Sequence, residues 1–189
     1  MKILSFLLVC GCLVGLSSVS AQTDCSGVYL TASDFLTGNV AYASMSSHGP
    51  NSTGDDLLTC KRVVVWSKGA SSTIERKAVY AIKCCDGKIV RIYHEGCYTF
   101  LNPGEYILLY KVVENPCSKG DVCRTKYYFS KSAGGDIEAL TVANLKAAFP
   151  DNDKFTDAVE VAFRGEADLC AYDNTHKCYK LNRIYELSK

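Results

Sequence analysis

The chain has 189 residues, with 21 Lys and Arg against 20 Asp and Glu, a formal net charge of +1. No basic run exceeds two residues, so no surface is predicted that could neutralise a phosphate backbone or an anionic membrane. Eleven cysteines in a chain of this length point to an oxidising compartment.

The chain opens with MKILSFLLVCGCLVGLSSVSAQTDC: one lysine, a long apolar run, then small residues ending at Ala21. This is the layout of a secretory signal peptide cleaved after Ala21, and Gly and Ser interrupt the run before it could span a bilayer. Lipid attachment at Cys12 is the weaker alternative, because apolar residues follow that cysteine where a polar tether is expected. The expected product, residues 22–189, is one secreted or periplasmic domain, large enough to bury a core. A Ser- and Gly-rich stretch at 43–56 reads as a mobile loop, and Asn51-Ser52-Thr53 within it is a glycosylation sequon.

From residue 61 the sequence is β-rich. KRVVVW (61–66), KAVYAIKC (77–84), KIVRIYH (88–94), CYTFL (97–101), YILLYKVV (106–113) and RTKYYFS (124–130) are rich in β-branched and aromatic residues. Asp86-Gly87 predicts a two-residue type I′ hairpin, and Pro103-Gly104 predicts a type II turn with glycine in the left-handed position. The period changes at 141, where Thr141 can cap a helix carrying Val142, Leu145, Ala148 and Phe149. A second helix from Asp153 aligns Phe155, Ala158, Val159, Ala162 and Phe163 on one stripe and closes by Gly165. The tail reads as a final hairpin around Asp173-Asn174. The expected fold is α+β: an antiparallel meander of six to eight strands, two C-terminal helices against it, and disulfide stabilisation.

The segment CCDGKIVRIYHEGC (84–97) crowds three cysteines and a histidine. With a two-residue turn at 86–87, Cys85 faces Lys88, Cys84 faces Ile89, Ala81 faces Ile92 and Tyr80 faces Tyr93. His94 then lies about 20 Å up the return strand from the turn. Zinc ligands must sit within about 2.3 Å of the metal, so Cys84 or Cys85 cannot share an ion with His94. The thiols are expected to serve in disulfides. Cys84 or Cys85 is expected to pair with Cys25 or Cys60, Cys117 with Cys123, and Cys170 with Cys178. The ninth cysteine left after leader removal could link two chains into a homodimer.

No catalytic set emerges. His48 lies in the Ser-rich loop, His94 ends a strand, and His176 sits beside Asp173 where turn chemistry alone favours Asp, Asn and Thr. Asp151, Asp153 and Asp157 surround a helix start, where acids are favourable without a metal, and the glycine turn and closing glutamate of a calcium loop are missing. No cofactor is expected. Tyrosines are the remaining feature: Tyr80, Tyr93, Tyr127 and Tyr128 could fill a core, or face solvent and take a glycan or peptide.

The stretches YLTASDF (29–35), DGKIVR (86–91), YFSK (128–131) and LTVANLKAAF (140–149), in this order, resemble a pattern found in small secreted proteins of Bacteroidetes-type bacteria. The resemblance spans most of residues 27–163 and implies secretion, with no catalytic residues carried over. The expected function is a secreted, disulfide-stabilised binding or structural module for a protein or glycan. A secreted hydrolase with a loop-built site, and an inhibitor of extracellular enzymes presenting CSKGDVC (117–123), are the rivals.

Overall fold

The computed structural model describes residues 26–42, 62–67, 70–113 and 124–189. The expected leader with Ala21, Cys12, the 43–56 loop with Asn51 and His48, and Cys25, Cys60, Cys117 and Cys123 lie outside the described residues.

The architecture is α+β, with a seven-stranded antiparallel sheet and helices at the C-terminus. Strands β1 (Gly27–Tyr29), β4 (Ala81–Lys83), β5 (Ile89–Tyr93), β6 (Gly96–Phe100), β7 (Leu108–Val113), β8 (Thr125–Ser130) and β9 (Glu138–Ala139) lie side by side in that order. From β4 to β9 this is a meander, and β1 completes one edge against β4. Strands β2 (Arg62–Ser67) and β3 (Ala70–Glu75) form a separate hairpin. Among the described residues the α-helices are α1 (Ala32–Thr37), α2 (Val142–Ala148), α3 (Asp153–Ala162) and α4 (Lys180–Leu187). A two-residue ladder, β10 (Tyr172–Asp173) with β11 (Cys178–Tyr179), leads into α4.

Strand alternation divides the core. On one sheet face, Val28, Ile82 and Ile92 pack with Val63 and Val65 of the β2–β3 hairpin. Farther along that face, Leu109 and Phe129 meet Leu145, Phe149, Phe155, Val159 and Leu181, all buried. The opposite face carries Tyr29, Ala81, Phe100, Leu108 and Tyr110, closed at one end by Phe35 of α1. The expected apolar stripe of α3 reaches the Leu109–Phe129 core on the first face through Phe155 and Val159, with Phe163 just past the helix end. Both C-terminal helices start as the sequence predicts. Thr141 Oγ1 accepts from Asn144 N (3.1 Å), and Asn152 Oδ1 accepts from Phe155 N (3.0 Å).

Several expectations need correction. The turn at 86–87 is longer by one residue: Cys84 N donates to Lys88 O (2.8 Å), and of the three intervening residues only Gly87 has positive φ (84°). Ala81 therefore pairs with Arg91, not Ile92, and Lys83 with Ile89. A one-residue slip exchanges the two faces of a strand. Gly104 is not left-handed, so the 102–105 turn, closed by Glu105 N to Asn102 O (3.2 Å), is not type II. The tail is not only a hairpin, since its second half is α4. The Cys170–Cys178 bridge does not form: both are free thiols, because the ladder sets Cys178 opposite Asp173 and leaves Cys170 outside it. Cys84 and Cys97 are also free, whereas Cys85 is disulfide-bonded to a partner not among the described cysteines.

Two buried asparagines fasten the helical layer to the meander. Asn102 Nδ2 donates to Ile107 O (2.8 Å) and its Oδ1 accepts from Leu109 N (2.6 Å). Asn182 of α4 brackets the same peptide, accepting from Ile107 N (2.7 Å) and donating to Ile107 O (2.8 Å). Replacing Asn182 by Leu should lower unfolding stability in urea by about 1–3 kcal/mol, because a buried N–H loses its acceptor. An unchanged midpoint would mean that Asn182 does not anchor α4.

Candidate functional site

The second sheet face is built around Arg91. The corrected register directs this side chain inward with Ile89 and Tyr93, and it is only 3% exposed. Its guanidinium donates to Gly135 O (2.7 Å), to Tyr110 Oη (3.0 Å) and, at 3.4 Å, to Ser130 Oγ. Among the described residues no carboxylate pairs with it. The rings of Tyr80, Tyr93 and Tyr110 surround it instead, with centroids 5.1, 5.2 and 5.9 Å from its central carbon. Aromatic faces attract a desolvated cation, and the carbonyl and hydroxyl acceptors replace part of its lost water. Tyr80 Oη donates to Ala133 O (2.6 Å), and burial pushes its pKa up to about 12. Arg91 and Tyr80 together hold the 131–136 loop onto the sheet.

Outside this buried centre lies a tier of half-buried tyrosines. Tyr98 meets Tyr128 edge to face at 5.1 Å and Tyr93 at 6.4 Å. Tyr93 Oη donates to Asp136 Oδ1 (2.8 Å), which brings a carboxylate to the rim. The hydroxyls of Tyr98 and Tyr128 have no partner among the described residues. Burial, followed by the neighbouring Tyr128, raises the pKa of Tyr98, so it stays a neutral donor. Gly96 is what lets this ring lie flat on β6: a Cβ there would sit 2.5 Å from Tyr98 Cε2.

The sequence candidates distribute unevenly over this geometry. Tyr80 and Tyr93 do not face each other as cross-strand partners; Ile92 N bonds Tyr80 O, and the two rings meet through Arg91. Tyr127 and Tyr128 split between faces, and only Tyr128 joins the site. Arg91, Tyr98, Tyr110 and Asp136 were not singled out from the sequence. Arg91 and Tyr98 could have been found from strand alternation once the register was right.

His94 occupies the left-handed turn between β5 and β6 (φ 50°), set edge to face against Tyr93 at 4.2 Å, at the far end of β5 from Cys84. The chain doubles back there, placing Cys97 opposite Ile92. Arg76 Nη2 donates to Cys97 Sγ (3.0 Å), but burial outweighs it and raises the thiol pKa. Among the described residues no three His, Cys, Asp or Glu side chains are placed to hold a metal ion.

His176 Nδ1 lies 2.7 Å from Asp173 Oδ2, and Asp173 Oδ1 also accepts from Thr175 N (2.9 Å) and His176 N (3.1 Å). These bonds, the His176 side chain's first, hold the Asp173 pKa down at about 2. The pair organises an exposed turn. A cleft of about 290 Å³ opens between the 104–106 turn and α4, with Cys178 on its wall. Burial, then the carboxylates of Glu105 and Asp173, raises the pKa of that thiol, the opposite of what a nucleophilic cysteine requires. No helix among the described residues is long and apolar enough to cross a membrane.

No family model matches the chain, and it matches none of the curated proteins or solved structures searched.

Two measurements check this geometry. Gly96→Ala should displace the Tyr98 ring, moving its aromatic NMR signals and those of Tyr128 while the fold persists; unmoved signals would mean the ring does not cover residue 96. A carboxyl titration should place Asp173 near pH 2. Because its folded pKa is depressed, the turn is favoured above the unfolded value of about 3.9 and loses that support as pH falls through about 2. A midpoint near 4 would contradict the His176 bond.

Proposed function

We propose that the protein is a binding module, secreted and held in part by disulfides, that receives a glycan or an extended peptide on the face formed by Tyr93, Tyr98 and Tyr128. The observation that carries this reading is the pairing of Tyr98 and Tyr128: half-buried rings with hydroxyls unpartnered among the described residues, set on rigid strands beside the Asp136 carboxylate. Flat apolar area with a few fixed polar groups suits a sugar ring or a peptide backbone. Rings already fixed by packing lose little entropy when a ligand arrives.

A hydrolase is less well supported. Among the described residues, neither His94 nor His176 stands with a carboxylate and a nucleophile inside a cavity. The leader-like N-terminus and the disulfide at Cys85 support secretion, and Cys25 or Cys60 is our preferred partner for Cys85. The four-part motif pattern adds the reading of a small secreted bacterial protein.

The test is a titration of the folded protein with a panel of soluble oligosaccharides and unstructured peptides, followed through tyrosine aromatic signals. At least one class should shift Tyr98 and Tyr128 saturably, and Tyr98→Ala should weaken that binding about tenfold, within the range for loss of an aromatic platform. A panel that leaves both residues unmoved, or binding indifferent to Tyr98→Ala, would overturn the reading. Peptide mapping without reduction should recover Cys85 joined to Cys25 or Cys60.

A further inference from the structure

We propose that the tyrosine face selects an acidic sugar, a hexuronate unit of a glycan, whose carboxylate is taken by Arg91 Nε and the hydroxyls of Tyr98 and Tyr128. The inference rests on the glycan reading of that face and adds the chemistry of its ligand.

The buried cation is not fully satisfied. Arg91 is 3% exposed, and its Nη1 and Nη2 bond Tyr110 Oη, Ser130 Oγ and Gly135 O. Its Nε is buried as well, but has no hydrogen-bond partner among the described residues. A buried donor left unbonded on a cation that no described carboxylate pairs with favours an anionic acceptor. Tyr98 stands directly opposite Arg91 across β5 and β6, and its hydroxyl, like that of Tyr128, has no partner among the described residues. These are three unused donors. The one carboxylate at the rim, Asp136, is already bonded by Tyr93.

One ring covers the guanidinium and is free to move. Tyr110 is fully buried, and Tyr80 is pinned to Ala133 O at 2.6 Å. Tyr93, its centroid 5.2 Å from the central carbon of Arg91, is only half-buried, and its hydroxyl is tied to the exposed Asp136 and the Ile137 backbone. Rotation of Tyr93 is the step that admits a carboxylate to Nε.

The same face favours a sugar over a peptide as the carrier of that carboxylate. Tyr98 and Tyr128 lie on β6 and β8, each flanked by strands on both sides, so a peptide finds no free edge for backbone pairing there. A hexuronate brings an apolar ring face for a tyrosine together with a carboxylate whose two oxygens accept several hydrogen bonds.

The test is an NMR titration of the folded chain with methyl β-D-glucuronide, with its neutral counterpart methyl β-D-glucoside, and with N-acetylglycine as a carboxylate without a sugar. The glucuronide should shift the ring signals of Tyr98 and Tyr128 saturably and move the Arg91 Nε–H signal downfield, and its binding should weaken as sodium chloride is raised. Tyr98→Phe, which keeps the ring, should weaken binding about tenfold, as expected for loss of a hydrogen bond to a charged group. Asp136→Asn removes a like charge and keeps an acceptor for Tyr93, so it should tighten binding about twofold. Equal binding of glucoside and glucuronide, or an unmoved Arg91 Nε–H signal, would overturn the inference and leave the tyrosine face as a site for neutral ligands. N-acetylglycine binding as tightly as the glucuronide would overturn the sugar. No saturable shift with any of the three would overturn the inference, while the wider panel of oligosaccharides and peptides decides the face itself.

Discussion

One buried cation organises half of the molecule. Arg91 is placed on the inner side of the sheet with no carboxylate to pair with among the described residues, a position that costs several kcal/mol unless the lost hydration is replaced. The replacement comes from three distant parts of the chain: Tyr80 on the approach to β4, Tyr110 and Ser130 on β7 and β8, and the Gly135 carbonyl beyond β8. Each contact is favourable only when the strands stand in this order and register. The arginine thus makes the register of β5 consequential, since a slip of one residue would turn the guanidinium away from every group that compensates it.

The tyrosine tier follows from that centre. Tyr93 packs on the guanidinium and reaches Asp136, a residue of the loop that Arg91 clamps at Gly135. Tyr98 leans across Gly96 onto Tyr128, beside the buried Tyr110. The four motif stretches at 29–35, 86–91, 128–131 and 140–149 converge on the same scaffold. Thr31 and Asp34 cap α1 reciprocally, with Thr31 Nα bonded to Asp34 Oδ2 at 3.1 Å and Asp34 Nα to Thr31 Oγ1 at 3.0 Å. Phe35 then stacks on Phe100 at 4.9 Å. Gly87 closes the hairpin, Arg91 meets Ser130, and Thr141 caps α2. These positions serve the framework, and the exposed chemistry lies between them.

Much of this framework was legible because local signals agreed with the global fold. β-branched runs became strands, Thr141 and the stripe of α3 became helices, and the α+β class followed from their order. The hairpin at 86–87 shows where local reading runs out. Asp-Gly suits a two-residue turn, and Gly after a longer loop suits a three-residue one; which face each side chain takes depends on partners 19 to 44 residues away. Helix α4 was missed for a related reason: Tyr179 supplies no side-chain cap, and the preceding turn residues suggested a hairpin. The capping box of Thr31 and Asp34 and the left-handed Gly38 mark the two ends of α1. Strand β3 is mostly exposed and polar, so no periodic apolar pattern marks it.

The most direct measurement of the central claim is hydrogen exchange on Arg91→Met compared with the wild type. Methionine fills similar space but cannot bond Gly135 O, Tyr110 or Ser130. Amides of residues 131–137 should lose at least tenfold in protection, while those of β7 and the α3 helix, away from the clamped loop, keep most of theirs. Protection of the loop equal to that of the wild type would contradict the account, because the cation would then be a passenger in the core.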